Sequence, residues 1–393
     1  MVHGTVAEGF EGVREAFEAN FTQRGEVGAA FAVHRHGEVV VDLWAGTADR
    51  ETGRAWERDT RGIVFSVTKG LVAMRFLQLL DQGLFDPDAP IAETWPEFGV
   101  RGKQTITGRM VLNHRAGLSA VDAPITTWDF ADAPDKVHDA LVQQRPLWVP
   151  GSAQGYAATT YGAYTNEMLE RLTGQRFSEA LAEHIAAPLG LALASGVPED
   201  EAGEVATLIP VGPKDVLRRH LPTALTRRTH EGRLFRRLLN RSTDARRAFQ
   251  HPRMSFGDVN KPGHLALDLP WMGVVSSAHD ISRAYAGLLG HIDGVNLVSP
   301  KTLEKVFPRQ SWSQRDRVLQ KPLGWSLGFL KEQPELFSRQ LSSFGHAGAG
   351  GGLGWAIPEL GVSMGYVMNR MDWRIRSPRA VALTQALDKA LLG

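Results

Sequence analysis

Apolar residues recur three and four positions apart near the start of the chain, which predicts one face of an N-terminal helix. The residues on that face are Phe10, Val13, Phe17 and Phe21. The next stretch, GAAFAVHRHGEVVVDLWAG, is largely apolar on both sides of a turn at His36-Gly37, and this pattern predicts a β-hairpin. The chain is therefore expected to begin with a helix followed by two antiparallel strands.

The middle of the chain has the spacing of helices. The run FSVTKGLVAMRFLQLL begins at Phe65 and predicts a helix to about Gln82, with Gly83 as its stop. Further helices are predicted in YGAYTNEMLERLTG, in FSEALAEHIAAPLGL and in SSAHDISRAYAGLLG, where Ser276 or Ser277 lies near the N-cap. This part of the chain is therefore expected to be mainly helical.

Glycine alternates with apolar residues near the C-terminus. This pattern predicts two strands, Gly352–Ile357 and Val362–Met368, followed by a closing helix in RAVALTQALDKALLG. Strands at both ends of the chain are most simply joined in one antiparallel sheet with flanking helices. We therefore expect an α+β fold. One lobe holds residues 1–85 and 285–393 around the sheet, residues 86–284 form an inserted, mainly helical lobe, and a cleft lies between the two.

Composition narrows the class of protein without identifying it. The net charge is +1, which gives no global reason to expect nucleic acid or a membrane surface as a partner. There are no cysteines, so disulfides, thiolate catalysis and zinc-thiolate sites are excluded. No apolar run is long enough to span a bilayer, and the first residues lack the pattern of a signal peptide. The sequence therefore predicts a cytoplasmic protein, and it leaves the oligomeric state open.

One segment departs from this neutral balance. Between Lys214 and Arg253 the chain has twelve lysines and arginines against three acidic residues. Leu234, Leu238 and Leu239 lie among the arginines, as in an amphipathic helix. Two interpretations are open: a solvated face of a helical insert, or a mouth that attracts anionic substrates or a partner.

A serine and a lysine stand at the start of the first long helix. Ser66 and Lys69 are three residues apart and therefore share a helix face. A serine hydroxyl becomes a good nucleophile when a base takes its proton, and a lysine can be that base when burial keeps it neutral. The pair is a workable acyl-transfer device, although a capping serine followed by a surface lysine has the same spacing.

Further motifs give the pair a context. The stretches FSVTKG, LLDQGLFDPDAPI, ITGRMVLNHRAGL, WVPGSAQGY and FGHAGAGG occur in the order typical of one superfamily. From about Gly28 to Met371 the chain resembles the serine beta-lactamase and DD-peptidase superfamily, and most closely its class C branch and the family VIII carboxylesterases. The resemblance implies a beta-lactamase-like fold with the active site in the cleft. It implies Ser66 as nucleophile, Lys69 as base and Tyr156 as their partner in proton transfer, with Tyr161 and Tyr164 as rivals.

The resemblance also assigns the segment HAG. His346–Gly348 takes the place of a Lys-Thr-Gly strand, so the amide of Ala349 is expected to form an oxyanion hole with the amide of Ser66. His346 and Gly348 are expected to contact substrate. Trp355, together with Trp271 and Trp325, is expected either to line an apolar acyl pocket or to pack in the core.

Two departures from the superfamily pattern bear on the substrate. The chain has Tyr156-Ala157-Ala158 where lactamases of this branch have Tyr-x-Asn, and His346 replaces the lysine that holds a lactam carboxylate. Both changes favour a serine hydrolase that acts on small-molecule esters. Beta-lactamase, D-aminopeptidase, DD-peptidase and acyltransferase activity remain alternatives, as do an amide substrate and a non-catalytic binding homologue.

Other hydrolase chemistries find no support in the sequence. His114, His264 and His279 lack metal-ligand spacing, and no Gly-x-Ser-x-Gly elbow is present. The glycine run GHAGAGGGLG lacks the Lys-Ser/Thr that follows a phosphate-binding loop. No cofactor or metal is therefore expected.

Overall fold

A computed structural model describes residues 1–212, 229–253, 255–331 and 334–393. Twelve strands occur in these residues: β1 His3–Val6, β2 Gly28–Arg35, β3 Glu38–Gly46, β4 Gly62–Ile63, β5 Ala194–Ser195, β6 Val274–Ser276, β7 Ser311–Ser313, β8 Leu323–Ser326, β9 Phe329–Lys331, β10 Phe344–Ala347, β11 Leu353–Ile357 and β12 Val362–Met368. Nine form one antiparallel sheet in the order β1-β3-β2-β12-β11-β10-β9-β8-β7, and β4-β6-β5 form a small second sheet.

The helices of the described residues are mostly in the middle of the chain. They are α1 Glu11–Gln23, α2 Thr68–Asp81, α3 Gly108–Leu112, α4 Asp129–Asp132, α5 Pro134–Gln143, α6 Thr160–Thr173, α7 Phe177–Leu181, α8 Ala187–Leu189, α9 His230–Leu239, α10 Asp244–Ala248, α11 Pro262–Leu265, α12 Ala278–Leu288, α13 Pro300–Leu303, α14 Pro334–Phe337 and α15 Pro378–Leu392. None of these helices is long and apolar enough to cross a membrane.

The two ends of the chain meet in the centre of the large sheet. β2 pairs antiparallel with β12, and Phe31 lies opposite Tyr366. β2 is buried along nearly its whole length because helices cover both faces of the sheet. Phe31 and Val33 pack in the cluster that contains residues of α1 and α15, and alternate residues such as Ala32 pack in the cluster that contains residues of α12. The expected antiparallel sheet with flanking helices is confirmed.

α2 connects the sheet with the helical region. It contacts β9 and β10 on one side and α6 and α7 on the other, which explains why almost every residue of its apolar run is buried. The predicted lobe boundary at residue 284 falls inside α12, a helix that packs on β2, β11 and β12. The division of the chain into two lobes stays a prediction.

We expect Arg379→Met to lower the free energy of unfolding by about 3–5 kcal/mol, the usual cost of removing one partner of a buried ion pair. The Arg379 guanidinium and the Glu26 carboxylate are both buried and hydrogen-bonded, and the Tyr366 hydroxyl donates to the same carboxylate. Denaturant titration measures the loss. Arg339→Met is the control, because its ion pair with Asp388 has an exposed arginine and is worth about 0–1 kcal/mol. Equal losses in both variants would contradict this account of the pair.

Candidate active site

Ser66 lies in a tight turn that leads directly into α2. The turn is a 3-10 segment, Phe65–Val67, and the side chain of Ser66 is half-buried. Phe65 has a φ of 48°, in the left-handed region that costs a bulky residue about 1–3 kcal/mol. The Val64 N–H, which donates to the Val274 carbonyl at 2.9 Å, helps to hold the turn in place. The strained turn places the hydroxyl at the wall of a cavity rather than within the helix.

Lys69 follows one helical turn later and is fully buried. Its Nζ lies 3.1 Å from Ser66 Oγ, 2.8 Å from the carbonyl oxygen of Ala158 and 3.0 Å from that of Trp271. Burial lowers the pKa of Lys69 well below its ordinary value of 10.5. A neutral amine has two N–H groups, which suit the two carbonyls, and a lone pair that is left for the Ser66 hydroxyl. The geometry is therefore suited to a base that takes the serine proton.

Tyr156 lies 90 residues after Ser66 in the chain, and its side chain reaches the same serine hydroxyl. Its hydroxyl lies 2.9 Å from Ser66 Oγ, and its ring stacks on Trp325 with 5.8 Å between ring centres. Burial raises the pKa of Tyr156 to about 12, although Lys69 Nζ is only 5.1 Å from the ring centre. Burial thus makes the phenol better suited to donate a proton than to act as a base. At neutral pH the phenol keeps its proton and can donate it.

The rival tyrosines of the sequence do not reach Ser66 in this structure. The Tyr164 hydroxyl donates to the Leu141 carbonyl at 3.2 Å. Tyr161 packs in the hydrophobic core beside His114, with 5.1 Å between ring centres.

The end of β10 lies against the turn that carries Ser66. A Cβ on Gly348 would be 2.4 Å from the Val64 carbonyl oxygen, so only a glycine allows this close approach. Gly348 and Ala349 line the same cavity as Ser66. The oxyanion-hole role of the Ser66 and Ala349 amides stays a prediction.

His346 lies on β10 and is buried next to the site. Its Nδ1 donates to the Ala347 carbonyl at 3.0 Å, so the neutral ring has a lone pair on Nε2. Burial lowers the pKa of His346 well below its ordinary value, and Nε2 has no partner among the described residues. The ring therefore offers an acceptor, not a cation, at the wall of the cavity.

The cavity beside Ser66 has a volume of about 620 Å³ and a largely apolar wall. Trp271 and Trp325 line it, which is one of the two interpretations left open for them. Trp355 does not: it is buried in the core and packs against Phe337 at 5.2 Å between ring centres. The substrate contact expected at Trp355 is therefore corrected, because on β11 its side chain is enclosed by other core residues.

The arginine-rich segment contributes to this cavity. Residues 213–228 lie outside the described part of the chain, so the prediction for Lys214–Arg253 is tested only beyond them. There α9 is amphipathic: Leu234 and Leu238 line the cavity, whereas Arg236 and Arg237 are exposed. Arg246 also lines the cavity. The described part of the segment thus has a solvated basic face and one arginine at the cavity wall, and attraction of an anionic substrate or a partner stays a prediction.

One part of the site was missed by sequence reasoning. After β12 the chain returns along the cavity, which is lined by Asp372, Trp373, Arg374, Ile375 and Arg376. Arg374 and Asp372 form an ion pair at 3.1 Å. The signal was the stretch MDWRIR, a cluster of aromatic and charged residues directly after a buried strand. Within the described residues, no group of three or more histidine, aspartate or glutamate side chains could hold a metal ion.

Comparisons with known proteins agree with this geometry. The sequence model of the family described as Beta-lactamase matches residues 13–388. The esterase/beta-lactamase LipL of Mycobacterium tuberculosis is 32% identical over 94% of this chain and 83% of its own length. A crystal structure of a family VIII carboxylesterase superposes with a TM-score of 0.86 at 31% identity, covering 99% of this chain and all of that one.

A second solved structure covers as much of the chain. A penicillin-binding protein homologue from Caulobacter crescentus superposes with a TM-score of 0.82 at 31% identity, over 99% of this chain and all of its own. The predicted beta-lactamase-like α+β fold is confirmed. The chain therefore belongs to the Beta-lactamase family and is a serine hydrolase of the serine beta-lactamase and DD-peptidase superfamily.

Proposed function

We propose that this protein hydrolyses carboxylic esters through a covalent acyl-enzyme on Ser66. One observation carries the proposal: Ser66 Oγ lies within hydrogen-bond distance of both Lys69 Nζ and the Tyr156 hydroxyl, at the wall of an apolar cavity. A nucleophile, a desolvated base and a proton donor thus meet at one oxygen, as covalent acyl transfer requires.

Acylation uses the two partners of Ser66 differently. Neutral Lys69 takes the Ser66 proton as the oxygen attacks the ester carbonyl, and the amides of Ser66 and Ala349 hold the oxyanion. When the carbon–oxygen bond to the alcohol breaks, Tyr156 gives its proton to the departing oxygen. The ammonium on Lys69 then returns a proton to the phenolate, so the site regains its starting protonation state.

Deacylation repeats the sequence with water. Lys69 takes a proton from the water that attacks the acyl carbonyl, and Ser66 leaves as an alkoxide that is protonated from Tyr156. The Lys69 ammonium again returns a proton to the phenolate, and the products are a carboxylic acid and the regenerated enzyme.

The apolar wall of the cavity favours an uncharged, apolar ester as the substrate. Leu234, Leu238, Trp271 and Trp325 contribute apolar surface. Where the superfamily has two polar anchors for a lactam, this chain has Ala158 and the neutral ring of His346. The relatives do not separate the two substrate classes, since their names include both esterases and a penicillin-binding protein.

A beta-lactam is the second candidate substrate, and one observation favours it. Arg246 and Arg376 both line the cavity and could meet the carboxylate of a lactam in place of the missing lysine. A nitrocefin assay beside p-nitrophenyl esters tests the choice. We expect ester turnover to exceed lactam turnover, and the reverse order would assign the site to lactams.

Leu238→Lys tests whether the apolar wall binds the acyl chain. Because burying a leucine is worth about 1.5–3 kcal/mol, we expect a loss of kcat/KM of roughly 10-fold or more on p-nitrophenyl octanoate. The loss on p-nitrophenyl acetate should be small. Leu239→Lys is the matched control, because Leu239 is the next residue along the chain, its side chain is 70% exposed, and it lies outside the cavity lining. A similar loss on both esters, or in both variants, would place the acyl chain elsewhere.

A further inference from the structure

A buried carboxylate lies behind Tyr156. Asp316 follows β7 and is fully buried. Its Oδ1 accepts hydrogen bonds from the backbone N–H groups of Tyr156 at 3.1 Å, Val318 at 2.9 Å and Leu319 at 2.9 Å. Its Oδ2 accepts one from Gln154 Nε2 at 3.3 Å. These four partners are all N–H groups, and among the described residues the carboxylate has hydrogen bonds but no salt bridge.

Two of these contacts are those of an ordinary turn, and two are not. An aspartate often accepts from the N–H groups that follow it in its own turn, as Asp316 does from Val318 and Leu319. The other two donors, Gln154 and Tyr156, come from a segment about 160 residues earlier. Placing an anion there has a desolvation cost that a solvent-facing turn aspartate avoids. The position therefore calls for a role beyond closing the turn.

Few contacts fix the position of the Tyr156 hydroxyl, and this indicates what Asp316 does. The hydroxyl's hydrogen-bond partner in the described residues is Ser66, the group on which it would act. Its direction must therefore come from the backbone and from packing of the ring on Trp325 and His114. The backbone is held on both sides of Tyr156, by Asp316 at its own N–H and by His114 Nδ1 at the N–H of Ala157, 3.1 Å away.

We infer that Asp316 is a positioning residue that holds the backbone of Tyr156 so that its hydroxyl points at Ser66. The inference rests on the function proposed above. The charge of Asp316 also favours Tyr156 as a proton donor. A nearby carboxylate adds to the burial that raises the pKa of Tyr156, and a raised pKa keeps the phenol protonated.

A double-mutant cycle tests the inference. Asp316→Ala, Asp316→Asn and Tyr156→Phe are assayed alone and combined, with kcat and KM measured on p-nitrophenyl butyrate. Asp316→Ala is expected to lower kcat by about 10- to 100-fold with little change in KM, as a misplaced catalytic group does. Asp316→Asn keeps an oxygen for the Tyr156 N–H and should recover most of the rate. In the Tyr156→Phe background, removing Asp316 should have almost no further effect.

A merely structural role gives a different result. The factor by which Asp316→Ala lowers kcat would then be the same with and without the Tyr156 hydroxyl, and this outcome would overturn the inference. If Asp316→Ala does not fold, Asp316→Leu, which has a more similar volume and also lacks the acceptor oxygen, carries the same cycle. Asp268→Ala is the matched control: its carboxylate accepts from the Ser178 N–H at 2.9 Å and the Ser195 hydroxyl at 2.7 Å, outside the catalytic cavity. It should lose stability without losing kcat.

The rate at which a fluorophosphonate labels Ser66 provides a second readout that needs no ester turnover. The same cycle on labelling rates separates the two proposals. If Ser66→Ala keeps full activity and labelling, the proposed function fails. If Ser66→Ala is inactive but the Asp316 and Tyr156 losses multiply independently, only the positioning role of Asp316 fails.

Discussion

Ser66→Ala is expected to lower kcat/KM on p-nitrophenyl butyrate by about 10⁴- to 10⁶-fold, the range found when the nucleophile of a covalent serine hydrolase is removed. The loss arises because Ser66 Oγ is the oxygen that both Lys69 Nζ and the Tyr156 hydroxyl contact. The residual activity expected of the variant comes from substrate binding and the backbone amides. Steady-state kinetics measure the loss, and mass spectrometry after a fluorophosphonate should find the wild type labelled once and the variant unlabelled.

Ser277→Ala is the matched control for this change. Ser277 also stands at a helix start, where its side chain accepts from the Asp280 N–H at 3.0 Å, but it lies outside the cavity lining. Removing this cap should cost about 0.5–2 kcal/mol of stability and leave kcat unchanged. Full activity in Ser66→Ala would assign the chemistry to another residue.

Lys69→Met is expected to lower kcat by about 10²- to 10⁴-fold, the contribution of a positioned general base. The substitution keeps a side chain of similar length in a buried position and removes the amine that takes the Ser66 proton. Lys103→Met is a close control, because Lys103 is also fully buried, donates to two carbonyls and has a pKa lowered to about 8. It lies outside the cavity lining, so its loss should affect stability and not kcat.

The pH dependence of the wild type gives an independent check on Lys69. The amine acts as a base only when it is neutral, and burial lowers its pKa well below 10.5. Activity should therefore be lost as the pH falls through this lowered pKa and be retained above it. The acid limb of kcat/KM must lie well below 10.5. An acid limb at the ordinary lysine value would show that the amine is solvated in the working enzyme.

Local sequence patterns predicted much of the fold, because many helices and turns are determined by interactions between residues close together in the chain. The face of α1, the hairpin at His36 and the end of α2 at Gly83 depend on periodicity and turn chemistry within a few residues. The spacing of Ser66 and Lys69 likewise indicated that their side chains meet, although Ser66 lies in the 3-10 turn before α2 and not in the helix itself. The joining of β2 and β12 needed one further assumption, that apolar strands at both ends of a chain share a sheet.

The parts that sequence reasoning missed depend on contacts between distant segments. Nothing within the stretch around Trp355 separates it from Trp271 or Trp325: all three are buried, and only the tertiary structure decides which of them reaches the cavity. Asp316 has the pattern of a turn residue, and its contact with Tyr156 spans 160 positions. The pKa of Tyr156 is dominated by burial, which no local pattern around Tyr156 reports.

The amphipathic helix α9 has a consequence for how this enzyme could change. It supplies Leu234 and Leu238 to the cavity, while Ser66 comes from the turn before α2, Lys69 from α2 and Tyr156 from the segment before α6. The part that we propose selects the acyl group is thus separate along the chain from the part that we propose breaks the bond. Libraries that randomise the inward positions of α9 can alter substrate range while the bond-breaking unit is inherited intact, and natural divergence has the same route open to it.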